Sequence, residues 1–177
     1  MQEDTRNVID MYKGWSEQDI IADLDKGRHS VHVAVENVTR DFNMGTIVRN
    51  ANAFNVAAVH VIGRRQWNKR GAMATDKYLH VQYHASIDDF VAAMGGRQII
   101  AIDNQPGAVN LHETKLPADC VLVFGGEGSG LSKEMIAASE TMVAIEQFGS
   151  TRSINVGVAS GVVLYEWVRR HILTEQE

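Results

Sequence analysis

The 177-residue chain has one cysteine, Cys120, and only two prolines. A single thiol rules out an internal disulfide framework and any multi-cysteine zinc site. No apolar run approaches the roughly 20 residues that a membrane-spanning helix needs. The opening MQEDTRNVID places acids where a secretory signal carries bases and then apolar residues. These absences predict a cytoplasmic protein with no membrane partner. Metal ligands are scarce too. His80 and His84 stand four apart but lack the adjacent glutamate of H-E-x-x-H, in a segment that reads as strand, so no metal site is expected. Positive charge is also short: the net charge of −5 argues, weakly, against a nucleic-acid partner, since phosphate binding usually leaves a basic footprint.

What is present is a globular core. Apolar residues make up 45% of the chain, charged residues 22%, and no repeat or low-complexity tract interrupts it. That length and composition fit one domain, able to bury a full core without staples. The charge is segregated. Residues 1–27 carry seven acids against Arg6, Lys13 and Lys26, whereas GRRQWNKRG (63–71) holds four bases and no acid. The first 27 residues read as mostly helical, with Gly27 as a stop. From residue 31 strands and helices alternate. VHVAVE (31–36), AAVHVIG (57–63), HVQYH (80–84), RQIIAID (97–103), CVLVFGG (120–126) and MVAIE (142–146) read as strands. Between them lie helices over 45–54, after the Ser86 N-cap, over SKEMIAASE, and over 156–172. The reading is an α/β fold with a mainly parallel sheet flanked by helices, residues 1–30 forming an N-terminal helical extension and 31–177 the main domain.

The segment FGGEGSGLS (124–132) sits where a parallel strand ends and a helix begins, the place where open α/β sheets gather ligands. A dinucleotide fingerprint would need glycine at position 131, which is Leu131. A P-loop would need lysine there. Glu127, in the middle of the loop, would repel a pyrophosphate. The loop thus suits a ligand without phosphates, and a nucleotide-phosphate enzyme is the weaker alternative. No serine nucleophile elbow is present.

Three segments, NVTRDFNMGTIVRNANAFNV (37–56), VLVFGGEGSGLS (121–132) and IEQFGSTRSINVGVASGVVLYEW (145–167), resemble the three motifs of SpoU-type (TrmH-like) RNA ribose 2′-O-methyltransferases of the SPOUT superfamily. The resemblance implies a C-terminal trefoil knot, S-adenosylmethionine as cofactor, RNA (transfer or ribosomal) as substrate and a homodimer. It assigns catalytic roles to Asn43, Arg49, Glu127, Ser153 and Asn155. Cofactor contacts fall on Ile102, Gly125, Gly126, Ile145, Ser153 and Ile154. Asn50, Asn55 and Gly126 depart from what many relatives carry. A non-catalytic RNA-binding relative is a further alternative, opposed by the intact Arg49, Ser153 and Asn155. The lack of a large appended RNA-binding domain tilts the expectation toward transfer RNA.

On the 45–54 helix Arg49 lies about 200° from the core-facing Ile47, so it can face a cleft. The family role proposed for this arginine is a general base. A guanidinium holds its proton, so a clamp on a phosphate and on the developing alkoxide is an equally sound role. Arg64, Arg65, Lys69 and Arg70 would attract RNA phosphates, with Arg152 a further contact, and Trp67 would offer a face for an unpaired base. Gly157 and Gly161 permit close approach of another backbone, within the chain or across a dimer seam.

Overall fold

A computed structural model describes residues 4–37, 43–126, 128 and 130–174. Seven strands form one sheet: β1 (His32–Asn37), β2 (Val59–Gly63), β3 (Val81–His84), β4 (Gln98–Ile102), β5 (Val109–Asn110), β6 (Cys120–Phe124) and β7 (Thr141–Ala144). Their order is β3-β2-β1-β6-β4-β7-β5, and every pairing between them is parallel. The helices are α1 (Glu17–Asp25), α2 (Asn43–Ala53), α3 (Ile87–Met94), α4 (Lys133–Ala138) and α5 (Val156–Val168), the last extended by a π-helical turn over Arg169–Leu173.

Both faces of the sheet are covered, which is why its central strands are continuously apolar. Alternation sends Leu122 and Phe124 of β6 toward α2 and α5, where Ile47, Val48, Leu164 and Trp167 complete one core. Val121 and Val123 point the other way, toward Phe90 of α3 and Met135 of α4. Cys120 is fully buried in the first core, and burial pushes its thiol up to about 12. It is a packing residue. Local caps fix the helices: Ser86 accepts from the Asp89 amide at 3.1 Å, and Gly95 ends α3 in the left-handed region.

The N-terminal segment is less helical than its sequence suggests. Among the described residues of this segment only α1 and a 3-10 turn at Asp10–Tyr12 form, because Gly14, at φ +81°, breaks the chain between them. The segment is pinned to the β3 side of the sheet. Glu17 accepts from Lys77 at 2.6 Å, Asp25 contacts His80 at 2.8 Å, and Arg28 donates to the Tyr78 carbonyl at 2.8 Å. Strand β5 is two residues long and pairs only with β7.

One buried feature was not visible in the sequence, where the histidines looked scattered. His32, His60 and His84, on adjacent strands, form a hydrogen-bonded row. His32 Nδ1 lies 2.9 Å from His60 Nε2, and His60 Nδ1 lies 3.0 Å from His84 Nε2, with Phe90 edge-on to the last two rings. Burial, then the neighbouring Arg97 charge, holds His32 down at about 4. Burial, then the flanking His32 and His84, holds His60 at about 3. An unfolded histidine takes up a proton near pH 6.5. Between there and about pH 4 the unfolded chain therefore binds more protons, so stability rises with pH and is lost as pH falls through this window. Urea unfolding from about pH 7 down to about pH 4.5 should show that loss, and His60→Leu should flatten the slope by up to about 1.4 kcal/mol per pH unit. An unchanged slope would mean that His60 is protonated as readily in the folded chain as in the unfolded one.

Candidate active site

The first turn of α2 is the packing centre of the site. The sequence makes α2 amphipathic: Met44, Ile47, Val48 and Ala51 are buried, while Arg49 is exposed. Two backbones close on its first turn. A Cβ on Gly45 would lie 2.7 Å from the Ala72 nitrogen and the Gly71 Cα, so the end of the basic segment rests directly on the helix. A Cβ on Gly157 would lie 2.8 Å from Thr46 Cγ2, so the start of α5 closes from another side. Such contacts tolerate no side chain. Gly157 and Gly161 therefore serve packing within the chain: a Cβ on Gly161 would sit 3.3 Å from the Asn50 side chain. Asn50 binds α5 directly, donating to Gly157 O at 2.8 Å and Ser160 Oγ at 2.9 Å.

Asn155 caps α5, its Oδ1 accepting from the amides of Gly157 at 2.9 Å and Val158 at 3.2 Å. Its Nδ2 donates to Asn43 Oδ1 at 2.8 Å. Two residues 112 positions apart thus meet where α2 and α5 begin.

Beside this junction a cleft of about 710 Å³ opens at the carboxyl ends of β4, β6 and β7. All six residues expected to contact a cofactor, Ile102, Gly125, Gly126, Ile145, Ser153 and Ile154, line it, together with Arg152 and Asn155. A second cavity of about 700 Å³ lies at the opposite end of the sheet, against Gln98, Leu116, Pro117 and Arg170. The Arg170 guanidinium is engaged there by the Leu111 and Thr114 carbonyls and by Glu166. Parallel sheets present ligands at the carboxyl ends of their strands, which favours the first cleft.

The loop after β7 is tied down by charge. Glu146 accepts from the His112 amide at 3.1 Å and contacts its ring, and that hydrogen bond raises the His112 pKa above its usual value.

Not every expected residue gathers at the cleft. Arg49 is exposed, one helical turn beyond Gly45, and is not among the residues lining it. Glu127 lies outside the described residues. Arg64, Arg65, Lys69 and Arg70 are exposed on the segment after β2. Trp67 requires a correction. It is only 9% exposed and packs into the core shared with α2 and α5, so its ring offers no face to an unpaired base. The apolar indole gains more from that core than from water. Lys69 sits 5.4 Å from the Trp67 ring centroid and pairs with Asp76 at 2.7 Å.

Sequence reasoning also missed residues. The Arg65 guanidinium stacks 4.8 Å from the ring centroid of Tyr83, an exposed tyrosine on edge strand β3. Asp103 and Gln105 line the cleft, and the buried Glu36 accepts from the Ser132 amide at 2.9 Å. The rule that ligands gather at strand carboxyl ends would have found Asp103, which directly follows β4. Among the described residues no group of three or more His, Cys, Asp or Glu side chains is placed to hold a metal ion. Nor is any helix among them long and apolar enough to cross a membrane.

Comparison with known proteins fits this arrangement. The model of the SpoU rRNA Methylase family matches residues 30–165. The chain is 30% identical over 152 residues to the tRNA (guanosine(18)-2′-O)-methyltransferase of Escherichia coli (strain K12), covering 83% of this chain. It spans 66% of that relative's length, just under two thirds. Among solved structures, the A. aeolicus TrmH/SpoU tRNA modifying enzyme superposes with a TM-score of 0.77 at 25% identity, covering 90% of this chain and 84% of that one. The SpoU methyltransferase AviRb from Streptomyces viridochromogenes, in complex with AdoMet, shares the fold with a TM-score of 0.70 at 23% identity, covering 85% and 65%. The chain belongs to the SpoU rRNA methylase family.

Proposed function

We propose that this protein is an S-adenosylmethionine-dependent RNA methyltransferase acting on a ribose 2′-hydroxyl, with transfer RNA favoured over ribosomal RNA. The observation that carries the reading is the convergence of the expected cofactor residues, Ser153 and Asn155 on one cleft, with Asn43 hydrogen-bonded to Asn155 at its edge. The cleft volume, about 710 Å³, is that of a small-molecule site. The Gln147 side-chain oxygen, buried at the cleft with no partner among the described residues, supplies an acceptor for a ligand amino or hydroxyl group. The residues present therefore fit the cofactor. The relative from E. coli is named for tRNA 2′-O-methylation, which supports the tRNA preference.

When bound, the cofactor supplies a methyl group on an activated sulfonium. The chain must align the ribose hydroxyl and steady the charge that develops on its oxygen. Ser153, which lines the cleft, is proposed to orient the ribose. Asn155 and Asn43 hold the start of α5 against the start of α2, so their role is to fix the geometry of the site. Arg49 is proposed to clamp a substrate phosphate and to stabilise the developing alkoxide. Glu127 is proposed to tie the glycine loop to Asn43. Arg64, Arg65, Lys69, Arg70 and Arg152 are proposed RNA contacts. The further reading is of a C-terminal trefoil knot, residues 1–30 as an extension to a methyltransferase domain over 31–177, and a cytoplasmic homodimer. The dimer reading rests on α5, where Val158, Val162 and Tyr165 form an exposed stripe at helical spacing, 58%, 41% and 54% accessible.

Transfer of labelled methyl to bulk tRNA, and separately to rRNA, tests the central claim. Wild type should label the tRNA pool in an alkali-resistant linkage, and Arg49→Ala should lower the rate by roughly 10²-fold or more, as loss of an oxyanion stabiliser does. Absence of label in both pools, with no cofactor binding by calorimetry, would overturn the reading. Replacing Arg65 and Arg70 together by alanine should weaken RNA binding similarly across sequences and lower the slope of log affinity against log salt by about one to two. Filter binding across a salt series measures it. Sedimentation equilibrium should give twice the chain mass for wild type and the single-chain mass for Val162→Asp.

A further inference from the structure

The walls of the cleft come from residues 102–106 at the end of β4, from Gly125, Gly126, Gly128 and Gly130 after β6, and from residues between 143 and 159 at the end of β7 and the start of α5. Strand pairing joins their bases, Ile102 with Phe124 and with Val143, and beyond it the loops meet through side-chain hydrogen bonds. One carboxylate stands at their junction. Asp103 Oδ2 accepts from the Leu131 amide at 2.7 Å and from Gln105 Nε2 at 3.0 Å, while Oδ1 accepts from the Asn104 amide at 2.7 Å. Its own amide donates to Val143 O of β7 at 3.1 Å. The flanking side chains extend the same net: Gln105 Nε2 also donates to Leu131 O at 3.1 Å, and Asn104 Nδ2 donates to Arg152 O at 2.7 Å. The glycine loop is shaped to this carboxylate, since a Cβ on Gly130 would collide with Asp103 Oδ2.

Resting on the methyltransferase reading, we infer that Asp103 is a positioning residue for the cofactor. Its carboxylate locks the glycine loop, at the Leu131 amide, at the spacing the cofactor needs. Among the described residues, the groups that hydrogen-bond to it are N–H donors, and they reach both of its oxygens. Charge-assisted acceptance of this kind is stronger than that of a neutral amide. An asparagine of the same shape could keep one oxygen but would turn an amino group toward a donor. Holding the loops before binding removes an ordering cost that the cofactor would otherwise bear, so the benefit falls on affinity and not on the chemical step.

Asp103→Asn is the test, with Gln105→Ala as a second variant that removes the Gln105 link and leaves the carboxylate in place. Calorimetry with S-adenosylmethionine and with S-adenosylhomocysteine should show binding weakened about tenfold or more in Asp103→Asn, and by a smaller factor in Gln105→Ala. In methyl transfer the cofactor KM should rise in step, while kcat at saturating cofactor and the KM for RNA stay within about twofold of wild type. A residue that merely supports the fold would lower kcat and RNA binding as well. Hydrogen exchange of the cofactor-free protein should show the Leu131 amide less protected in Asp103→Asn. If Asp103→Asn does not fold, the cofactor KM of Gln105→Ala decides. Wild-type affinity in the variants, or unchanged protection of Leu131, would overturn the inference and leave the methyltransferase reading standing. Failure of the wild type to bind either compound would overturn that reading and the inference with it.

Discussion

The close packing of three chain segments at the first turn of α2 is the constraint on which the site depends. Gly45 touches the chain at Gly71 and Ala72, and Gly157 touches Thr46 one residue further on. The segments that meet there are distant in sequence and belong to different parts of the sheet, yet none has room for a methyl group between them. From this follow the positions of Asn43, of the α5 cap Asn155, and of Arg49 one turn along the helix. It also fixes the basic segment: its last residues rest on the helix that carries Arg49. A contact of this kind is rigid because interiors at crystal-like density do not deform smoothly.

The cleft is built on a different principle. Its floor is the carboxyl edge of three parallel strands buried on both faces, and its walls are loops with little packing of their own. Strands supply the stiffness, and hydrogen bonds to loop backbones transmit it. Asp103 and Glu36, each just past or near a strand end, both accept from the turn into α4, at the consecutive amides of Leu131 and Ser132. Hydrogen bonds of this sort read poorly as sequence motifs, because their donors are backbone amides that any residue but proline provides.

That difference explains what was legible in the sequence. The parallel sheet was, because strands buried on both faces give continuous apolar runs such as CVLVF, and five helices carried either a cap or an amphipathic period. The family resemblance named six residues that line the cleft, Ile102, Gly125, Gly126, Ile145, Ser153 and Ile154, but not Asp103 or Gln105 beside them. Trp67 misled because its neighbours Arg64, Arg65, Lys69 and Arg70 mark the segment as exposed, whereas one side chain of an exposed segment can still turn inward. The row of His32, His60 and His84 was invisible, since nothing local relates residues that only strand register brings side by side. Strand β5, two residues long, has no period to detect. Asn50 looked like a departure from the family pattern, and its bonds to Gly157 and Ser160 became clear only once α2 and α5 lay together.

The net charge of −5 is the remaining tension with an RNA substrate, and location resolves it. Many acids of the N-terminal segment already face cations of the same chain: Asp4 with Arg6, Asp23 with Lys26, Asp25 with Arg28, and Glu17 with Lys77. Among the described residues no carboxylate pairs with Arg64, Arg65 or Arg70, and Arg65 is held extended over Tyr83. A phosphate within a Debye length of this segment, roughly 10 Å at 0.1 M salt, meets cations that are not already neutralised by a contact partner. Acids elsewhere on the molecule are screened from it. The sum over the chain therefore says little about the local field, and a small acidic protein can present a basic edge to RNA where the segment carrying that edge is anchored on the helix that bears Arg49.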